Sequence, residues 1–446
     1  MRAVMLKKNN FQTKGNTLTE EHKLQDHMAK NKYFFPFIMV TSLFFMWGFV
    51  HNLDPILIPH LKKSFSLNNL QSSLVDSSVF IAYLLMAIPA GIMVKNYGYK
   101  TGIICGLLLF ALGSFLFIPA ADTGQYLFFL GALFIIACGL TILETVANPY
   151  VSLLGDPATA TSRLNFAQSF NGLAATMAPI IGARIILTKG STDEELNAMT
   201  ESARQIALAA EAASVKTPYL ILGSIILTIA VIFYFIRLPE IEQNEEESES
   251  RNVFHALRHR HLSWAVAAQF FYVGAQVCIF SFFILYAVEV AGIDKVMAAD
   301  YLGWGCGLAF MAGRFIGVFL MKFIRSERLL AIYSVICILL SFLAIFTQGF
   351  TAIYAVIGIA FFMSIMFPTI FSLGIKGLGR DTEYGSSLIV MAIVGGAILP
   401  LLFGYISDLS GKVQYGQIVS LLCFCVILVF ALKGYKVIKP QTKKYA

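Results

Sequence analysis

Apolar residues run along this chain in long blocks, separated by short stretches that hold most of the glycine, proline and charge. A helix rises 1.5 Å per residue, so roughly 20 apolar residues cover the hydrocarbon of a bilayer. Twelve blocks reach that length: about 34–60, 70–95, 101–120, 125–153, 163–188, 217–238, 262–290, 299–322, 328–347, 350–376, 385–408 and 415–433. Only Gln348-Gly349 divides the ninth block from the tenth. The pattern predicts an all-α membrane protein with twelve transmembrane helices.

Composition agrees. Of 446 residues, 57% are hydrophobic and 13% charged, against a charged share of roughly 25% in soluble domains. So little polar surface cannot cover a soluble protein of this size, whereas lipid can. The net charge of +7 lies mostly in tails and loops. No basic helix with interleaved aromatics accompanies it, so no nucleic-acid partner is expected. The seven cysteines all fall in apolar blocks with no CxxC pair and no Cys/His cluster, so neither disulfide nor metal nor other cofactor is expected.

Basic residues also orient the chain. With the N-terminus inside, the inner loops hold Lys95, Lys100, Arg163, Arg237, Arg251, Arg258, Arg260, Lys322, Arg325, Arg328, Lys376 and Arg380. The outer side holds fewer, although Arg184 and Lys189 run against the trend. Residues 1–32 are too long and polar for the n-region of a secretory signal. They read as a cytoplasmic tail ahead of a signal-anchor helix. Six helices (33–238) precede an acidic-then-basic cytoplasmic linker (239–261), six more follow (262–433), and 434–446 is a second cytoplasmic tail. Between the fifth and sixth helices, "ESARQIALAAEAA" predicts a surface helix on the outer side.

Charges inside the blocks are the candidate chemistry, because an ionisable group at mid-bilayer costs about 2.5–3.5 kcal/mol on insertion scales. In "WGFVHNLDPILIP", Trp47, His51 and Asp54 recur at i, i+4, i+7 on one face, with Asn52 beside them. An indole plate, an imidazole and a carboxyl suit a sugar ring, which has apolar faces and polar edges. The fourth helix carries Glu144 deep in its span, with Asn148 one turn on and Pro149 loosening the backbone. A carboxyl in low dielectric without a cation favours its neutral form and can carry a proton. Asp76 lies near the outer end of the second helix. Arg314 is the one arginine well inside the second half, and reaching toward the inner interface is its plainer use. The fifth helix offers Asn165, Gln168 and Asn171; the seventh, Gln269, Tyr272 and Gln276; the tenth, Ser364, Pro368 and Ser372. Amides, hydroxyls and aromatic plates together point to a neutral, hydroxyl-rich ligand.

"NLDPILIPHLKKSFSL", "LETVANPYVSLLG", "RLNFAQSFNGLAATMAPIIG", "QFFYVGAQVCIFSFFILYAVE" and "FPTIFSLGIKGLGRDTEYGSSLIVMAIVGGAILP" closely resemble the fucose–galactose–glucose:proton symporters of the major facilitator superfamily. The resemblance covers nearly all of 34–433 and implies the major facilitator fold of two six-helix bundles. It also implies a bacterial inner-membrane location and a proton-coupled monosaccharide importer working by alternating access as a monomer. L-fucose is the first candidate, with galactose, glucose or N-acetylglucosamine behind it. A first-helix acid and a fourth-helix glutamate would couple the proton; these are Asp54 and Glu144. The family reads N-D before "ILxP", whereas Leu53-Asp54-Pro55 sets the acid one place earlier, about 100° around a helix. Loop 2–3, "GIMVKNYGYKTG", is a weak form of a superfamily signature, with Gly91, Gly98 and Lys100 in place and Lys95 where an acid is usual; "GRFIGVFLMKF" echoes it more weakly. An uncoupled facilitator and a non-transporting sugar sensor are the alternatives. A membrane enzyme would need a metal-binding acidic pair or a nucleophile–base set on a loop, and neither appears.

Overall fold

A computed structural model describes residues 34–53, 57, 61, 64–65, 69–182, 198–239 and 253–437. Among the described residues every regular element is helical. Phe34–His51 forms α1. The run Asn69–Thr123 turns back at Gly98, whose φ of 81° is costly for any residue with a Cβ. It therefore makes two spans, α2 (69–97) and α3 (99–123). Tyr126–Leu153 is α4, Ala160–Gly182 is α5 and Lys216–Phe235 is α6.

The second half begins with α7, which runs Arg260–Ser281 and then Phe283–Ala291 across a break at Phe282. Next, α8 joins Lys295–Asp300 to Leu308–Leu320 through a wide π turn, Tyr301–Gly307. Ser326–Phe346 is α9. The tenth, α10, is Phe350–Met363 and Met366–Ile375, offset at Ser364-Ile365. Gly379–Ser410 makes α11 and Val413–Gly434 makes α12.

These are the twelve blocks. Among the described residues, ten helices are long and apolar enough to cross a membrane, with α2 and α3 sharing one of them. The remaining span is α5, whose amides and Arg163 dilute its apolar character. Gln348-Gly349 does divide α9 from α10: Gly349 takes φ 69° and donates its N–H to Val290 O at 2.7 Å. The predicted surface helix is Glu201–Ala213, capped by the Thr200 hydroxyl accepting from Ala203 N. The last part of the linker packs, because Val253–Arg258 is a short helix that buries Val253 and Ala256.

The exterior is apolar, as lipid requires: Leu127 is 78% exposed and Leu401 73%. The two halves meet along two seams. In one, α2 and α4 lie on α11; in the other, α5 lies on α8 and α10. The first seam is tight. A Cβ at Gly91 would fall 1.7 Å from Ser387 Oγ, so no larger residue fits there without moving α11. At the end where the linker joins, the seams open into a vestibule of about 1040 Å³ lined by residues such as Ser152, Ser162, Arg325 and Arg380.

Candidate functional site

Glu144 sits in the middle of α4, 9% exposed. Tyr83 of α2 stands beside its carboxyl. Its Oε2 has no partner, and no ion pair among the described residues reaches it. One turn on, Asn148 is fully buried and donates its amide to Glu144 O at 2.9 Å. Gln168 on α5 then donates to Asn148 Oδ1 at 3.0 Å. A line of polar contacts thus leads from the main chain at Glu144, beside the carboxyl, to the second seam.

Across that seam the bonds join opposite halves. The Arg314 guanidinium of α8 donates to Gln168 O of α5 and, at 3.1 Å, to Ser364 O of α10. Asn165 donates to Thr369 Oγ1 at 3.1 Å, and the Thr161 and Ser372 hydroxyls meet at 2.9 Å. Arg314 therefore does not reach toward an interface as expected. It is 4% exposed and turned inward.

The remaining candidates divide. Gln269 and Tyr272 are buried, and neither the Gln269 amide nor the Tyr272 hydroxyl has a partner. Tyr272 packs edge-on to Phe367, 6.2 Å between centroids. Such unmet buried groups cost free energy unless something supplies the missing bonds. Gln276, two turns from Gln269, is only half-buried. Asn171, also half-buried, presses on Gly48, where a Cβ would lie 2.7 Å from its amide nitrogen.

On α1, Trp47 is 2% exposed and packs on Phe44 at 4.2 Å, with no acceptor for its indole N–H. His51 is exposed beside a small void lined by Val79, Leu140 and Tyr219. Asn52 turns back to donate to Gly48 O at 2.6 Å. Asp54 lies outside the described residues, and so does the side chain of Asp76. Trp47 and His51 thus share a helix, but the described contacts join neither to the Glu144 line. Among the described residues, no group of three His, Cys, Asp or Glu could hold a metal ion.

Sequence reasoning missed the residues that close the first seam. Tyr99 donates to Glu383 Oε1 at 2.9 Å, and Lys95 stands 4.3 Å over the Tyr384 ring. Ser386 donates to Thr145 O at 2.6 Å, directly after Glu144. Behind them Asp381 meets His259 at 3.0 Å. The available signal was "GRDTEYGSS", which places two acids and two serines at the mouth of α11. Lys95, where an acid is usual, faces an aromatic ring instead.

The comparisons with known proteins agree with this geometry. A family model described as Major Facilitator Superfamily matches residues 37–386. The L-fucose-proton symporter of Escherichia coli (strain K12) is 40% identical over 429 residues, 94% of this chain and 98% of that protein. The glucose/galactose transporter of Brucella abortus biovar 1 (strain 9-941) is 41% identical over 410 residues, 92% of this chain and 96% of that one. A crystal structure of the transporter FucP in the outward conformation superposes with a TM-score of 0.83 at 40% identity, covering 90% of this chain and 98% of that chain.

Proposed function

The chain belongs to the major facilitator superfamily, and from that premise we propose that it imports a monosaccharide together with protons. L-fucose is the favoured sugar, on the likeness to the fucose symporter. The similar likeness to a glucose/galactose transporter supports a second reading, in which one of those hexoses is the cargo.

The observation that carries the proposal is Glu144. It is a buried carboxyl with one unpartnered oxygen and no cation paired with it among the described residues, on a turn of α4 whose main chain Asn148 and Gln168 link to the seam between the halves. An ionised carboxylate in a closing, drying seam pays a desolvation penalty of several kcal/mol. A protonated one pays far less. Proton loading therefore lets the halves rock around a filled site, and rehydration on the other side frees proton and sugar. Asp54 is the proposed second carrier. Amides from Asn148, Gln168, Asn171, Gln269 and Gln276 and the Tyr272 hydroxyl would bond the sugar hydroxyls. Trp47, His51 and Asn52 would shape the pocket from α1.

In this reading the vestibule faces the cytoplasm, as do both termini, and the protein is a monomer in the bacterial inner membrane. The domain bounds are those given by the apolar blocks, 33–238 and 262–433. No enzymatic step is involved.

Purified protein in proteoliposomes tests it. Labelled L-fucose, galactose or glucose should accumulate when the outside is made acidic, and sugar entry should alkalinise the outside medium. Sugar flux with no proton movement would leave an uncoupled facilitator, and binding without flux a sensor.

A further inference from the structure

We propose that Arg314 is a positioning residue of the transport cycle: it locks α5 of the first half onto α8 and α10 of the second, and its release governs parting at this seam. The proposal rests on the transport reading above.

The lock has a cause in the sequence. In a helix the carbonyl of residue 364 would accept from the N–H of residue 368, but that residue is Pro368, which has none. The Ser364 carbonyl is left over where α10 breaks, and Arg314 Nε fills it at 3.1 Å. On the other side, Arg314 Nη1 donates to Gln168 O. Gly172, one turn along α5, lies directly against the Arg314 side chain. A Cβ there would stand 3.4 Å from Arg314 Cδ and 3.6 Å from Nη1. The guanidinium lies 4.7 Å from the Phe310 ring, which braces it on its own helix.

One flat, forked donor thus serves carbonyls from both halves at once. An ammonium cannot copy that geometry, because it is a compact point charge on a flexible stem. No acid pairs with Arg314 among the described residues, so its acceptors are neutral and can be exchanged. The same Gln168 that presents its carbonyl to Arg314 gives its side chain to Asn148, and Asn148 bonds the Glu144 carbonyl. A ligand that moves Gln168 therefore moves an acceptor of the lock.

The test uses the full chain in proteoliposomes, with Arg314→Met and Arg314→Lys. Proton-driven accumulation of the transported sugar should fall about tenfold in both, while the Kd for that sugar shifts less than about threefold. A thiol at Ser372→Cys, buried in the seam, should react with a maleimide several-fold faster when Arg314→Met is added. Gly172→Leu, which crowds the guanidinium, should reproduce both effects with Arg314 intact. Accumulation and thiol reactivity that stay within about twofold of the parent would overturn the proposal. So would a variant whose only change is a lower melting temperature, since that marks a structural role. A parent protein that takes up no sugar sinks the transport reading alone, because the thiol measurement still judges Arg314.

Discussion

Glu144 and Arg314 stand at the two ends of one line of polar contacts, and burial treats them differently. Arg314 is always cationic and needs acceptors, which it finds in two carbonyls. Glu144 can shed its charge by taking a proton, and its unpartnered Oε2 leaves a place for ligand or water. Replacing it by glutamine fixes the neutral form. Glu144→Gln should abolish accumulation driven by a proton gradient and leave sugar counterflow; full active uptake by that variant would remove Glu144 from the mechanism. Sugar affinity in the parent should weaken as pH rises and the carboxyl ionises, and it should depend on pH less steeply in Glu144→Gln, where Asp54 alone is left to titrate, read by isothermal titration. Gln168→Ala breaks the link to Asn148, and a hydrogen bond of this kind contributes about 1 kcal/mol. The sugar Kd should rise roughly fivefold, with the fold intact by melting temperature. Glu144 was legible in the sequence because an acid in an apolar block stands out. The use of Arg314 was not, because a long side chain can point outward or inward, and the two carbonyls that hold it inward lie on other helices.

At the level of elements, the blocks announced the spans but hid their interruptions. The breaks at Phe282, at Tyr301–Gly307 and at Ser364-Ile365 fall inside runs that read as continuous helix. Only Pro368 hinted at one of them. Such breaks form where packing against other helices repays the lost ladder bonds, which a local pattern does not contain. The seam of α2 on α11 depends on one missing side chain. Gly91→Val should collide with Ser387 and keep the halves from closing at the linker end. Thiols placed in the vestibule, such as Ser162→Cys, should then react faster, and Ser387→Gly should restore part of the slower rate by removing the nearer obstacle, the Glu383 carbonyl at 2.9 Å remaining.

For the whole molecule, apolar exterior and polar seam were legible as classes of residue, but not which seam residues meet. Asn165 with Thr369 and Ser386 with Thr145 O are 204 and 241 residues apart in the chain. The Tyr99–Glu383 bond, 284 residues apart, was missed for the same reason. It spans the halves beside the vestibule, so Tyr99→Phe should loosen that end. Pulse-labelled hydrogen exchange should then show faster exchange at 379–387 with little change in α9.

The polarity of α5 also bears on how the chain is made. A segment carrying Asn165, Gln168 and Asn171 partitions poorly from the translocon into lipid by itself. Newly synthesised α5 must be sheltered until α8 and α10 arrive, for their side chains supply Thr369 and Arg314 to its amide-bearing face. A polypeptide stopped after residue 238 would leave the Asn165 amide without Thr369 and the Gln168 carbonyl without Arg314. Quality-control proteases should clear it far faster than the complete protein, and co-expression of the missing half should rescue it.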